Sequence, residues 1–209
     1  MVSLMANMIS NHLSEPQKEK LKAFLRHVGI EHEDWVRIVE YRECFAFIRG
    51  LHPERLDALE ISGGGRWRQL GFRSFVTAEY PAYDVCEAVL DRQFDIIIAD
   101  QVFEHLLWPY RAGRNVYAML KTGGYFVIAT PFLIKIHPAP VDCTRWTETG
   151  MKYFLAECGW DLDKIQTGSW GNRACVKANL GPHWAKRGPF GSLKNETLFP
   201  VTVCAFAQK

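Results

Sequence analysis

The run Phe94-Asp95-Ile96-Ile97-Ile98-Ala99 constrains this chain more than any other feature. A short, almost uninterrupted apolar run of β-branched residues reads as a strand buried on both faces, the pattern of a parallel sheet. Four other segments carry strand signals: Leu56–Ser62, Ser74–Ala78, Tyr125–Thr130 and, after Pro200, Val201–Ala207. Helical spacing lies between them, from about Trp108 to Leu120 and from the cap residue Thr147 to Cys158, with Gly159 closing the second. Strand alternating with helix predicts an α/β fold: a mostly parallel sheet covered on both faces. Ligands of such sheets bind at the carboxyl ends of the strands, at the topological switch point.

Two amphipathic stretches precede the first strand. Ser14 caps one, with Pro16 in its first turn, Leu21, Phe24, Leu25 and Val28 on one face, and Gly29 as its stop. The other runs from about Asp34 to Arg49 with Trp35, Ile38, Val39, Phe45 and Ile48 as its apolar members, and Gly50 ends it. The expected organisation is therefore a helical cap over residues 1–53 and an α/β domain over 54–209, compact together at 209 residues. Residues 171–195 read as an insertion before the last strand. They carry Arg173, Lys177, Lys186, Arg187 and Lys194 and no acid, either as a solvated loop or as a lid whose charge meets an anionic acceptor.

Lys plus Arg number 25 and Asp plus Glu 23, for a net charge of +2. That balance argues against a nucleic-acid backbone as partner. The start of the chain lacks the charged and apolar regions of a signal peptide, and no apolar run approaches the ~20 residues of a membrane span. Six scattered cysteines without a CxxC pair read as buried thiols in a reducing cytoplasm. The His and acid residues form no compact ligand cluster along the sequence, so no metal is expected.

Chemistry concentrates after the strands. Glu60-Ile61-Ser62-Gly63-Gly64-Gly65 follows the first, and its glycines let backbone approach a ligand closely. A dinucleotide fingerprint would want a third glycine where Arg68 stands, which disfavours a nicotinamide-dependent oxidoreductase. Glu79 ends the second strand, Asp84 follows it, and Asp100 and Gln101 follow the third apolar run. A carboxylate after the second strand can accept both hydroxyls of a ribose, and one placed like Asp84 can reach an adenine amine.

These segments resemble class I S-adenosylmethionine-dependent methyltransferases, of a bacterial type-11-like subgroup. Phe94–Leu106 resembles the family's fourth-strand motif, Met119–Ile128 its "LkpGG" turn into the fifth strand, and Leu59–Gly65 its glycine motif, with Ser62 in place of the first glycine. The resemblance spans about Leu56 to Trp160. It implies a Rossmann-like, seven-stranded, mostly parallel sheet and S-adenosylmethionine as cofactor. It also implies that Glu60 and the loop Ser62–Gly65 hold the methionine end, Glu79 the ribose and Asp84 the adenine, with Asp100, Gln101 and His105 nearby. His105 either faces that pocket or caps the next helix. Little room is left for a third strand between Glu79 and Phe94, or for a first helix within Gly65–Phe72.

His137-Pro138-Ala139-Pro140-Val141-Asp142-Cys143-Thr144-Arg145-Trp146-Thr147 is similar to a stretch of the same subgroup, which serves glycan and secondary-metabolite pathways. It implies a position beside the methyl acceptor, a small molecule or glycan. His137, Asp142 and Arg145 are the candidate catalytic set. Either His137 removes the acceptor's proton, or Asp142 and Arg145 pair to fix the loop and His137 is structural. A cofactor-binding partner without catalysis is the other reading of the chain.

Overall fold

A computed structural model describes Ser14 and residues 33–209. Apart from Ser14, the expected first helix lies outside the described residues. The second begins as a 3-10 turn, Trp35–Arg37, and continues as α1, Ile38–Gly50. The strands are β1 Asp57–Ile61, β2 Ser74–Ala78, β3 Phe94–Asp100, β4 Leu120–Pro131, β5 Ile165–Trp170 and β6 Thr202–Gln208. The remaining helices are α2 Pro109–Met119, α3 Glu148–Cys158 and the short α4 Arg173–Ala178. Thr147 caps α3 by accepting the Gly150 N–H at 3.1 Å.

The strands form one sheet in the order β2-β1-β3-β4-β6-β5. β2, β1, β3 and β4 are parallel, while β6 runs antiparallel to both β4 and β5. The sheet thus has six strands among the described residues rather than seven. The short link Glu79–Gln93 makes turns instead of a strand, and only a 3-10 turn, Arg66–Leu70, stands where a first helix would cover the sheet.

The all-apolar character of β3 follows from its two covers. Ile97 and Ala99 face a core built with Val116, Met119, Met151, Phe154 and Leu155 of α2 and α3. Ile96 and Ile98 face the other, with Tyr41, Cys44 and Ile48 of α1 and with Trp67. A period of two on a strand sends successive side chains to opposite faces, so burial on both sides demands apolar residues throughout. α1 is therefore one of the covering layers of the sheet. Each of these fully buried side chains contributes about 1.5–3 kcal/mol relative to exposure.

The insertion is tied to the domain. Trp35 N–H donates to Ala185 O at 2.8 Å and Trp170 Nε1 to Leu193 O at 3.0 Å. Of its five cations, Lys186 is ion-paired with Asp34 at 2.9 Å and Arg173 with Glu196 at 2.6 Å.

Candidate active site

Strand order reverses between β1 and β3, since the chain crosses to one side for β2 and to the other for β3. A cavity of about 520 Å³ opens at the carboxyl ends beside that point. Ile61 and Ser62 beyond β1, Tyr80 to Glu87 beyond β2, and Gln101, Val102 and His105 beyond β3 line it. Leu106 to Trp108 and Ala139 to Val141 complete the wall.

The loop after β1 takes its shape from glycine chemistry. Ser62, Gly64 and Gly65 have φ of 50°, 70° and 83°, the left-handed region that side chains disfavour. Nothing lies within 4 Å of where a Cβ on Gly64 or Gly65 would stand, leaving the backbone open to a ligand. Gly63 is the reverse case, because Glu60 is folded beneath it. Glu60 is fully buried with both oxygens outside hydrogen-bonding geometry. Burial pushes its carboxyl up to about 7, helped by Asp100 and Glu79 and opposed by the Gly65 N–H and Arg68.

Glu79 stands exposed at the end of β2 and does not line the cavity. Asp84 does, and its Oδ1 accepts the Cys86 N–H at 2.8 Å, which leaves Oδ2 for a ligand. Asp100 turns away from the cavity and pairs with Arg37 at 3.0 Å. Gln101 contributes to the wall, but its amide donates to Glu40 at 2.9 Å. Glu40 also accepts from Thr202 at 2.6 Å, and its burial, then Asp100, raise its pKa. This network behind the cavity fastens α1 to β3 and β6.

The third apolar strand also delivers Glu104 and His105, and the loop after β4 delivers His137, Asp142 and Arg145. Arg145 grips both oxygens of Asp142, Nη2 at 2.7 Å, and that hydrogen bond holds Asp142 down at about 2. Asp142 Oδ2 in turn accepts the His137 N–H at 2.9 Å and sits 3.2 Å from His137 Nδ1. His137 Nε2 points toward Glu104 Oε1, 3.9 Å away. Burial lowers the His137 pKa. His105 Nδ1 donates to Val141 O at 2.5 Å, and its Nε2 lies 3.5 Å from the same Glu104 oxygen. His105 thus joins the cavity wall to the cluster, while His137 stands behind it. Glu104 is fully buried and neither of its oxygens has a hydrogen-bond partner; burial pushes it up to about 8.

Residues 58–128 match a family model described as a methyltransferase domain. The match covers about a third of the chain, the stretch from β1 into β4. A Mesorhizobium loti S-adenosylmethionine-dependent methyltransferase is similar in structure at a TM-score of 0.54 and 16% identity, covering 78% of this chain and 96% of that one. An Archaeoglobus fulgidus one gives 0.52 at 13%, covering 84% and 100%. Likeness at that identity establishes the fold. No curated protein matches the chain.

The solved structures of this fold named above are S-adenosylmethionine-dependent methyltransferases, and the residues here fit that cofactor. The bare loop at Gly64 and Gly65 admits an amino-acid tail, and a volume of about 520 Å³ suits a nucleoside-sized ligand. Sequence reasoning passed over Glu104, Arg37 and Glu40. A charged residue in a turn, as Glu104 and Arg37 are, or on a helix, as Glu40 is, normally faces solvent, and no periodicity marks one that the fold encloses.

Proposed function

We propose that this domain methylates a small-molecule or glycan-type acceptor held between the cofactor and the Glu104–His105–His137 cluster. One observation carries the reading: a single cavity is bounded by Ser62 and Asp84 on one side and by His105 and Val141 on the other. Both halves of a methyl transfer then share one water-poor space. Bound S-adenosylmethionine supplies an electrophilic methyl group with a neutral thioether as leaving group.

The chain's own residues position, desolvate and handle the proton. The loop Ser62–Gly65 takes the methionine end and Asp84, on the wall, the adenine amine. Glu79, exposed just outside the lining, takes ribose hydroxyls only where they reach the rim. Ile61, Tyr83 and Leu106 exclude water, which strengthens each polar contact inside. Tyr80 and Trp108, 61% and 53% exposed at the rim, offer flat apolar faces suited to a sugar ring or another cyclic acceptor. Arg145 fixes Asp142, and Asp142 holds the Nδ1–H edge of His137. His137 Nε2 is the base for the acceptor's proton once the acceptor reaches past His105, because His137 stands behind the cavity wall.

The test is release of S-adenosylhomocysteine across a panel of hydroxylated small molecules and oligosaccharides. Acceptor-dependent release is expected. Tight cofactor binding with no release from any member would favour the non-catalytic partner, and binding of NAD in its place would favour the oxidoreductase.

A further inference from the structure

We propose that Glu104, His105 and His137 form a site for a divalent first-row transition ion such as Zn²⁺. One donor atom from each can be chosen so that all three lie within 4.8 Å of one another. His105 Nε2 and His137 Nε2 stand 3.5 and 3.9 Å from Glu104 Oε1. Metal–ligand bonds of about 2.0–2.1 Å in a tetrahedral site put donors roughly 3.3 Å apart, so a small inward movement would close the set.

The surroundings prepare the donors. A metal-binding imidazole gives its other N–H to a carbonyl or carboxylate, which fixes the tautomer and aims the lone pair. His105 does this through Val141 O at 2.5 Å, and His137 through Asp142 at 3.2 Å and Lys135 O at 3.3 Å. Asp142 is itself locked by Arg145. Glu104 supplies an independent observation: it is fully buried, aimed at the two rings, and both oxygens lack a hydrogen-bond partner. A buried carboxylate left so is costly, and a cation is the partner that two imidazole lone pairs would share with it. Two nitrogens and one carboxylate match a three-ligand catalytic site with an open fourth position rather than the all-oxygen shell of Mg²⁺ or Ca²⁺.

This inference deepens the acceptor reading, on which its consequence rests. An ion at this place would coordinate the acceptor's oxygen and lower its pKa, so the proton would pass to water and His137 would serve as ligand. In the metal-free enzyme, His137 would take the proton itself.

The experiment strips the protein with a chelator and titrates Zn²⁺ by calorimetry without cofactor or acceptor, with Co²⁺ absorption as a second readout. One equivalent of Zn²⁺ should bind, and Co²⁺ should show the visible bands of a low-coordinate nitrogen–oxygen site. Glu104→Gln and His137→Gln should each weaken Zn²⁺ by about 100-fold, and Asp142→Asn by about 10- to 100-fold through the lost imidazole partner. S-adenosylhomocysteine affinity, measured on the same samples, should not change on stripping. That arm keeps failure of the metal site separate from failure of the methyltransferase reading. Should Glu104→Gln not fold, Asp142→Asn and the wild-type Co²⁺ spectrum still decide. No stoichiometric Zn²⁺ binding by the wild type, or undiminished affinity in the folded variants, overturns the proposal.

Discussion

Glu60 occupies the space that a side chain at Gly63 would need: an added Cβ would stand 2.6 Å from Glu60 Cδ. The acid and the glycine three residues later form one unit, with the carboxylate propping the loop from below while its upper surface stays bare. Gly63→Ala should therefore cost about 1–3 kcal/mol through overpacking and weaken S-adenosylhomocysteine as the loop shifts. Glu60→Ala added to it should recover part of the stability, read from denaturant midpoints of the single and double variants. Strict additivity would show that the two residues do not compete for space.

Gly64→Val separates strain from crowding. Position 64 has φ of 70° with nothing within 4 Å of a Cβ, so the folded protein meets only backbone strain, about 1–3 kcal/mol. Cofactor binding should be lost because the isopropyl group projects into ligand space. Calorimetry showing wild-type affinity would reduce the loop to a turn.

Glu79→Ala should weaken S-adenosylmethionine by about 1.5–3 kcal/mol, the range for hydrogen bonds to a charged group. The side chain is exposed, so the melting temperature should stay near wild type. Unchanged affinity would remove Glu79 from the ribose site.

Glu60 also sets a pH dependence. In the unfolded chain its carboxyl releases its proton near the ordinary value, but the folded protein retains it up to about 7. Between those values the native state binds more protons than the unfolded one. Stability should fall as pH rises through that window, by at most ~1.4 kcal/mol per pH unit from this group. Denaturant midpoints from pH 4.5 to 7.5 should slope downward, and Glu60→Gln should flatten part of the slope.

His137→Ala should lower methyl transfer by ~10²–10⁴, the usual range for a general base, with cofactor affinity nearly unchanged. In chelated wild type the acid limb of the rate–pH profile should report a pKa below the ordinary histidine value, since burial lowers it. Full turnover in a folded variant would leave the ring with a structural role.

Much of the scaffold was legible because burial writes itself into periodicity. β2 runs over the residues expected for it, and β1, β3 and β6 fall within a residue or two of theirs. β4 extends further than expected, since Leu120 pairs with Phe94 before the glycine turn. β5 left no signal: Gln166, Thr167, Gly168 and Ser169 separate its two buried ends, as suits an edge strand paired on one side. Of the residues the sequence pointed to after β1 and β2, Ser62 and Asp84 fall on the cavity wall while Gly63 to Gly65 and Glu79 do not. The meeting of Glu104 and His105 with His137 was not legible, because the sheet brings them together across more than thirty residues and no local pattern records that.

The missing strand between β2 and β3 has a consequence for solution behaviour. It leaves β2 outermost, with a row of backbone donors and acceptors available to another chain. Five residues give such a row little length, and at its start Arg92 reaches Ser74 Oγ at 2.7 Å while Arg73 clasps Asp57, so bulky ion-paired side chains crowd that end of the border. A second copy approaching edge to edge would have to displace those ion-paired side chains before backbone hydrogen bonds could form at that end. Omission of an outer strand thus comes with a short edge partly blocked by side chains against unwanted self-assembly.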